Sequence, residues 1–150
     1  MKYSSNINIV IKDIQARLKS AGNPGENSKL LRIIATDLQA SNIRRIHNDG
    51  EAVDGSLIGD YSNESYRKRR SKKGRQISKV DLSFTGKLSK EFGIEAEGNQ
   101  YVVGFTTPYA STVGRAQEER YGKRIWGVTD EDNVVIKQAV EDYYSKIIKK

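Results

Sequence analysis

Cysteine is absent from the 150 residues, and histidine occurs once, at His47. The first absence excludes disulfide frameworks, thiolate nucleophiles and thiolate metal sites. The second excludes histidine-rich metal centres, and leaves His47 as the one residue a Ser-His-Asp arrangement could use. No nucleophile motif accompanies it, so its position near the end of a helical pattern predicts a capping cation rather than a catalyst. No apolar run approaches the ~20 residues a membrane-spanning helix needs. The opening Met1-Lys2-Tyr3-Ser4-Ser5-Asn6 has neither a continuous apolar stretch nor a small-residue cleavage site. No secretory leader and no membrane partner are therefore expected. Hydrophobic residues make up 36%, enough for one modest core and one domain over residues 1–150.

What the chain has in excess is positive charge, and that charge is concentrated. The formal net charge is +7. Arg67, Lys68, Arg69, Arg70, Lys72, Lys73, Arg75 and Lys79 fall within residues 66–79 with no acid among them. The remainder holds 18 basic groups against 19 acidic ones, so a near-neutral body carries one basic segment.

Hydrophobic spacing divides the chain into a helical part (6–47), an extended basic arm (50–79), and a hairpin with a C-terminal helix (80–150). Ile7, Ile11, Ile14 and Leu18, with Val10 beside them, predict a helix over 6–20 that Asn6 caps and Gly22-Asn23-Pro24-Gly25 ends. Leu30, Leu31, Ile34, Ala35, Leu38, Ile43 and Ile46 predict a second helix from about Lys29 to His47, capped by Ser28 and stopped by Asn48-Asp49-Gly50. Aliphatic residues then thin out, which predicts a long loop or arm with weak strand content over 48–80.

Thr85 is positioned to cap a short helix over 85–91. Gly98-Asn99 fits a two-residue hairpin turn. Pairing Glu97 with Gln100 puts Ala96 opposite Tyr101, Ile94 opposite Val103 and Phe92 opposite Phe105, all on one face. Pro108 breaks the strand, Tyr109–Tyr121 is helical in part, and Arg124–Val128 has room for one more short strand. Thr129 caps a final helix with Asp130, Glu131 and Asp132 in its first turn. Ile136, Val140, Tyr143 and Ile147 form its buried stripe, supported by Val135, Ala139 and Tyr144. The fold class expected is α+β: a small antiparallel sheet packed against N- and C-terminal helices, with a long basic arm.

Few constellations suggest chemistry. The basic segment could stay solvated, dock on an acidic protein surface, or neutralise DNA phosphates in a salt-dependent way. Tyr61 and Tyr66 flank it without interleaving, which argues against a base-stacking platform. Asp49, Glu51, Asp54 and Asp60 lack the spacing of a calcium loop, and turn-forming acids account for them better. Thr85-Gly86-Lys87-Leu88-Ser89 is not a phosphate loop, because Leu88 follows the lysine and Asp81 stands where glycine is required. Trp126 is a core residue or an interface anchor, and Tyr61 and Tyr66 are further anchor candidates. No catalytic residue, cofactor or metal ligand is expected.

The order of several short motifs resembles a known family. Asp54-Gly55-Ser56-Leu57-Ile58-Gly59-Asp60-Tyr61-Ser62 leads into the basic segment, followed by Val80-Asp81-Leu82-Ser83-Phe84-Thr85-Gly86-Lys87-Leu88. Pro108-Tyr109-Ala110 and Glu118-Glu119-Arg120-Tyr121-Gly122 come next, and Arg124-Ile125-Trp126-Gly127-Val128-Thr129-Asp130-Glu131-Asp132 leads into the last helix. Over roughly residues 40–148 this resembles the tail-completion and head–tail joining proteins of tailed bacteriophages, the phage virion morphogenesis proteins. The chain departs from that pattern at Ile125-Trp126, where an Arg-Pro-Phe-like element is usual, and at Ser111-Thr112, where a histidine is common. The resemblance implies a non-enzymatic virion protein, made in the bacterial cytoplasm and located at the head–tail junction or the top of the tail. It implies a homo-oligomeric ring, a hexamer or else a dodecamer, with portal-side connector and tail proteins as partners. In that setting the basic arm would contact packaged double-stranded DNA or an acidic collar protein. The alternative from the residues alone is a small DNA-binding protein that uses residues 66–79.

Overall fold

Ile7, Ile11 and Ile14 form the buried stripe of the first helix, α1 (Asn6–Lys19), in a computed structural model that describes residues 6–19, 24–98 and 100–148. The side chains of Val10 and Leu18, and the expected stop at Gly22-Asn23, lie outside the described residues. Asn6 is not a helix cap. Its amide grips the backbone of Val128 instead, accepting from the N–H at 2.8 Å and donating to the carbonyl at 3.0 Å.

The second helix, α2 (Pro24–Arg44), starts earlier than expected, with proline and glycine in its first turn rather than in a preceding stop. Proline suits that position because the first-turn N–H has no intrahelical acceptor. Ser28 is therefore inside the helix, its hydroxyl 3.4 Å from that of Tyr101. Leu30, Leu31, Ile34, Ala35 and Leu38 are buried as expected. The helix widens into a π-helical turn over Arg45–Asp49, which Gly50 ends in the left-handed conformation (φ 69°). A Cβ at Gly50 would sit 2.9 Å from the Val80 carbonyl oxygen, so glycine is needed there twice over.

Strands β1 (Phe92–Glu97) and β2 (Gln100–Phe105) form the hairpin in the expected register, with Phe92 opposite Phe105, Ile94 opposite Val103 and Ala96 opposite Tyr101. Gly98 takes φ 61° in the turn, while Asn99 lies outside the described residues. The hairpin packs on α1 and α2, and Gln39 ties α2 to it by donating to the Phe92 carbonyl at 2.9 Å. Edge-on rings run from Phe92 through Phe105 to Trp126, at centroid distances of 5.4 and 5.1 Å. Such pairs add to the apolar area they bury.

Before the hairpin come a helix α3 (Glu64–Lys72) and α4 (Lys87–Lys90), the latter a single turn, shorter than expected, that Gly86 starts in a left-handed conformation. After it comes α5 (Pro108–Tyr121), a full helix; Thr107 caps it by accepting from the Ala110 N–H at 3.2 Å. The last helix, α6 (Asp130–Ile148), opens with a reciprocal cap. Thr129 Oγ1 accepts from the Asp132 N–H at 3.0 Å, and Asp132 Oδ2 accepts from the Thr129 N–H at 2.9 Å. Ile136 is buried, and Val140, Tyr143, Ala139 and Tyr144 are half-buried. Val135, expected to support that stripe, is instead 57% exposed, and the side chain of Ile147 lies outside the described residues.

Arg124–Val128 is not a strand. The Arg124 carbonyl accepts from the Val53 N–H at 2.9 Å, and side chains in place of a ladder satisfy the groups that follow. Glu118 Oε1 accepts from the N–H groups of Ile125 (2.7 Å) and Trp126 (3.1 Å). The Asn42 amide accepts from the Gly127 N–H and donates to its carbonyl, both at 2.9 Å. Arg45 donates to the Ile125 carbonyl at 2.9 Å and to that of Glu51 at 2.8 Å. Trp126 is held in the interior, 1% exposed, as a core residue and not an interface anchor.

Gly114 on α5 gives a test of this packing. A Cβ there would overlap Phe105 Cε2, and that ring is boxed in by Phe92 and Trp126. Gly114→Ala is expected to lower unfolding free energy by about 1–3 kcal/mol in a denaturant titration, although alanine is the better helix former. An unchanged or raised midpoint would contradict the packing described.

Candidate interaction surface

Residues 50–79 are not an extended arm. An isolated bridge pairs Glu51 with Leu57 around a turn in which Asp54 Oδ1 accepts from the Ser56 N–H at 3.0 Å and hydroxyl at 2.6 Å. These bonds hold the exposed Asp54 carboxyl below its ordinary range. Ala52, Ile58, Tyr61 and Val80 enter the core, and the Val80 N–H donates to the Gly59 carbonyl at 2.8 Å. Asn63 then caps α3 by accepting from the Tyr66 N–H at 2.9 Å.

α3 has no aliphatic stripe. What it buries is Arg70, 0% exposed. One terminal nitrogen of Arg70 reaches both Asp81 oxygens, at 2.9 and 3.0 Å. Nε donates to the Gln76 carbonyl at 2.9 Å, and the other terminal nitrogen to the Ser83 carbonyl at 3.2 Å. The guanidinium also stacks 4.3 Å from the centroid of the Tyr61 ring. Asp81 accepts three further bonds, from the Tyr61 hydroxyl (2.9 Å), Gln76 Nε2 (2.6 Å) and the Ser83 N–H (2.9 Å).

Burial pushes the Asp81 carboxyl up, but these bonds and the Arg70 charge outweigh it, and the net shift is downward. Burial raises the Tyr61 hydroxyl well above its usual range. His47 Nδ1 lies 2.8 Å from the Asp81 carbonyl oxygen, which can only accept, so that nitrogen carries the proton. Burial lowers the His47 pKa below 6.5. His47 is thus a half-buried donor held on the Asp81 carbonyl, with its charged form disfavoured, and not a capping cation.

The eight basic residues singled out from sequence therefore separate. Arg70 is interior and unavailable to any partner. Lys68, Arg69, Lys72, Lys73 and Arg75 are exposed, while Arg67 and Lys79 are half-buried. Glu64 makes loose ion pairs with Arg67 (3.9 Å) and Lys68 (3.8 Å). Tyr61 is in the core, and half-buried Tyr66 packs between Tyr61 and Phe84, at 5.4 and 5.7 Å. Phe84 is the residue sequence reasoning missed. Arg69 and Lys73 lie over its ring at 4.9 and 5.3 Å, so it forms an apolar floor beside the cations. A groove of about 530 Å³ runs from there, between Tyr66, Leu82 and Leu88 on one side and Arg120 and Tyr121 of α5 on the other. Among the described residues no three His, Asp or Glu side chains converge as a metal site.

The chain is thus an α+β protein in which the sheet among the described residues is a hairpin, with a basic helix pinned to its outside. The model of the phage virion morphogenesis family matches residues 9–145, and the chain belongs to that family. Its role is in building a phage virion. No curated protein and no solved structure matches it.

Removing one partner of a buried ion pair strands the other charge in the interior. Arg70→Met is expected to cost about 3–5 kcal/mol of unfolding free energy, and adding Asp81→Leu to restore part of it. Denaturant titrations of both variants provide the check. A single-variant loss below about 1 kcal/mol, the range of an exposed pair, would contradict the burial described.

Proposed function

We propose that this chain is a non-enzymatic structural protein of the virion that completes the tail or joins head to tail, its copies forming a ring at the neck. The observation that carries the reading is the family match over residues 9–145. A hexamer is the expected ring, with a dodecamer as the other closed form, and portal-side connector and tail proteins are the expected neighbours. Copies in a ring meet through unlike surfaces on their two sides. The chain offers such surfaces: a hairpin to which no third strand is added among the described residues, and the cationic outer face of α3.

A second reading, a DNA-binding protein acting through α3, is favoured by the exposure of Lys68, Arg69, Lys72, Lys73 and Arg75 on one element. Affinity of that kind would fall steeply between low and moderate salt.

Disrupting this reading frame in the phage that carries it, followed by negative-stain electron microscopy of the lysate, tests the first reading. DNA-filled heads beside unattached tails are expected for a joining role, and abnormal tails beside intact heads for completion. Normal infectious particles would overturn it.

A further inference from the structure

The outer faces of α3 and α6 are opposite in charge. At about 100° per residue, Lys68 and Lys72 form one row on α3 directly away from the buried Arg70, and Arg69, with Lys73 just past the helix end, forms a second row on its flank. All four are exposed, and the second row borders Phe84 and the groove. On α6 the same phase places Asp130, Glu131, Glu141 and Asp142 opposite the buried Ile136, all four exposed, with Lys137 at the margin. Val134, 70% exposed, sits at the centre of that acidic face.

The acids form two pairs, Asp130 with Glu131 and Glu141 with Asp142, at the two ends of about 18 Å of helix, and so bracket the stretch of about 8 Å over which the four cations lie. Within one chain the two faces do not neutralise each other. α6 packs on α2 and α3 is tied to residues 76–83, with no ion pair between α3 and α6 among the described residues.

We propose that the occupant of the α3 face is a second copy of this chain, which lays the acidic face of its α6 across the four cations and sets Val134 against the Phe84 side of the groove. The contact is between unlike surfaces, so each copy has one free donor face and one free acceptor face, and repetition by rotation closes a ring. Charge complementarity fixes partner and register more than it adds affinity, and it makes assembly sensitive to salt. This rests on the ring reading above and names the surfaces that make the ring.

Reciprocal charge reversal tests it. One variant carries Lys68→Glu and Lys72→Glu, and the other carries Glu131→Lys and Asp142→Lys. In each, the altered row faces a row of its own sign on the next copy, so either variant alone repels itself along that row. Mixed, the altered rows again face opposite charges. Light scattering after size exclusion is expected to show assembly of the unaltered protein, weakened about tenfold or more between about 0.1 and 1 M salt as the screening length shrinks from ~10 to ~3 Å. Each variant alone is expected to be monomeric, and the equimolar mixture to regain the assembly. Melting curves establish that each variant is folded; should the α3 variant unfold, Lys68→Gln/Lys72→Gln replaces it and is expected to weaken assembly.

Monomeric unaltered protein, salt-insensitive assembly, or a mixture of folded variants that stays monomeric would overturn the proposal. So would binding of a DNA duplex that needs Lys68 and Lys72 without self-association. Variants that assemble alone would overturn this interface and leave the ring reading standing, whereas normal virions without the protein would remove the ring reading itself.

Discussion

The pairing of Arg70 with Asp81 decides where the basic segment goes. A helix made of Glu-Ser-Tyr-Arg-Lys-Arg-Arg-Ser-Lys has almost no apolar surface to bury and would not hold a place on the body by hydrophobic packing. Burying a guanidinium is costly unless its donors and its charge are both answered. Here the answer comes from the Asp81 carboxylate, the carbonyls of Gln76 and Ser83, and the ring of Tyr61. The same carboxylate binds Tyr61 and Gln76, and the Asp81 carbonyl binds His47 at the end of α2. One charged pair thus joins α3, residues 76–83 and the turn after α2. With Arg70 turned inward, helical phase turns its basic neighbours outward.

The segment ahead of α6 uses the same device, with side chains bonded to backbone groups. Asn6, Asn42 and Glu118, with Arg45, supply to residues 124–128 the hydrogen bonds a neighbouring strand would have given. Burial raises the Glu118 carboxyl despite the two N–H groups it accepts. These contacts draw Trp126 against Phe105 and bring α1, α2 and α5 onto one segment just ahead of α6. Polar side chains therefore set the relative placement of helices whose apolar stripes would tolerate other arrangements.

The parts legible in the sequence were those with a period. Alternation around Gly98 yields the hairpin register residue by residue, because a slip by one would turn Phe92, Ile94 and Val103 outward. The stripes of α1, α2 and α6 follow from 3.6-residue spacing, with Val135 misassigned because it neighbours the buried Ile136. α3 was not legible as a helix, since its inward residues are Tyr66 and Arg70 and hydrophobicity carries no trace of them. A weak signal exists in Asn63 as a cap and in the four-residue step from Tyr66 to Arg70. The apolar run Ile125-Trp126-Gly127-Val128 resembled a strand because periodicity does not reveal that its hydrogen-bond partners are side chains, some of them more than eighty residues away. For the same reason sequence located the basic segment but could not separate the buried cation from the exposed ones.

If Arg70 holds α3 in place, amide hydrogen exchange shows it most directly. In the unaltered protein the α3 amides from Arg67 to Lys72 are expected to be protected. In Arg70→Met they are expected to exchange far faster while those of the hairpin stay slow. Exchange of the α3 amides at the rate of an unstructured chain in the unaltered protein would contradict a pinned helix and restore a loose basic arm.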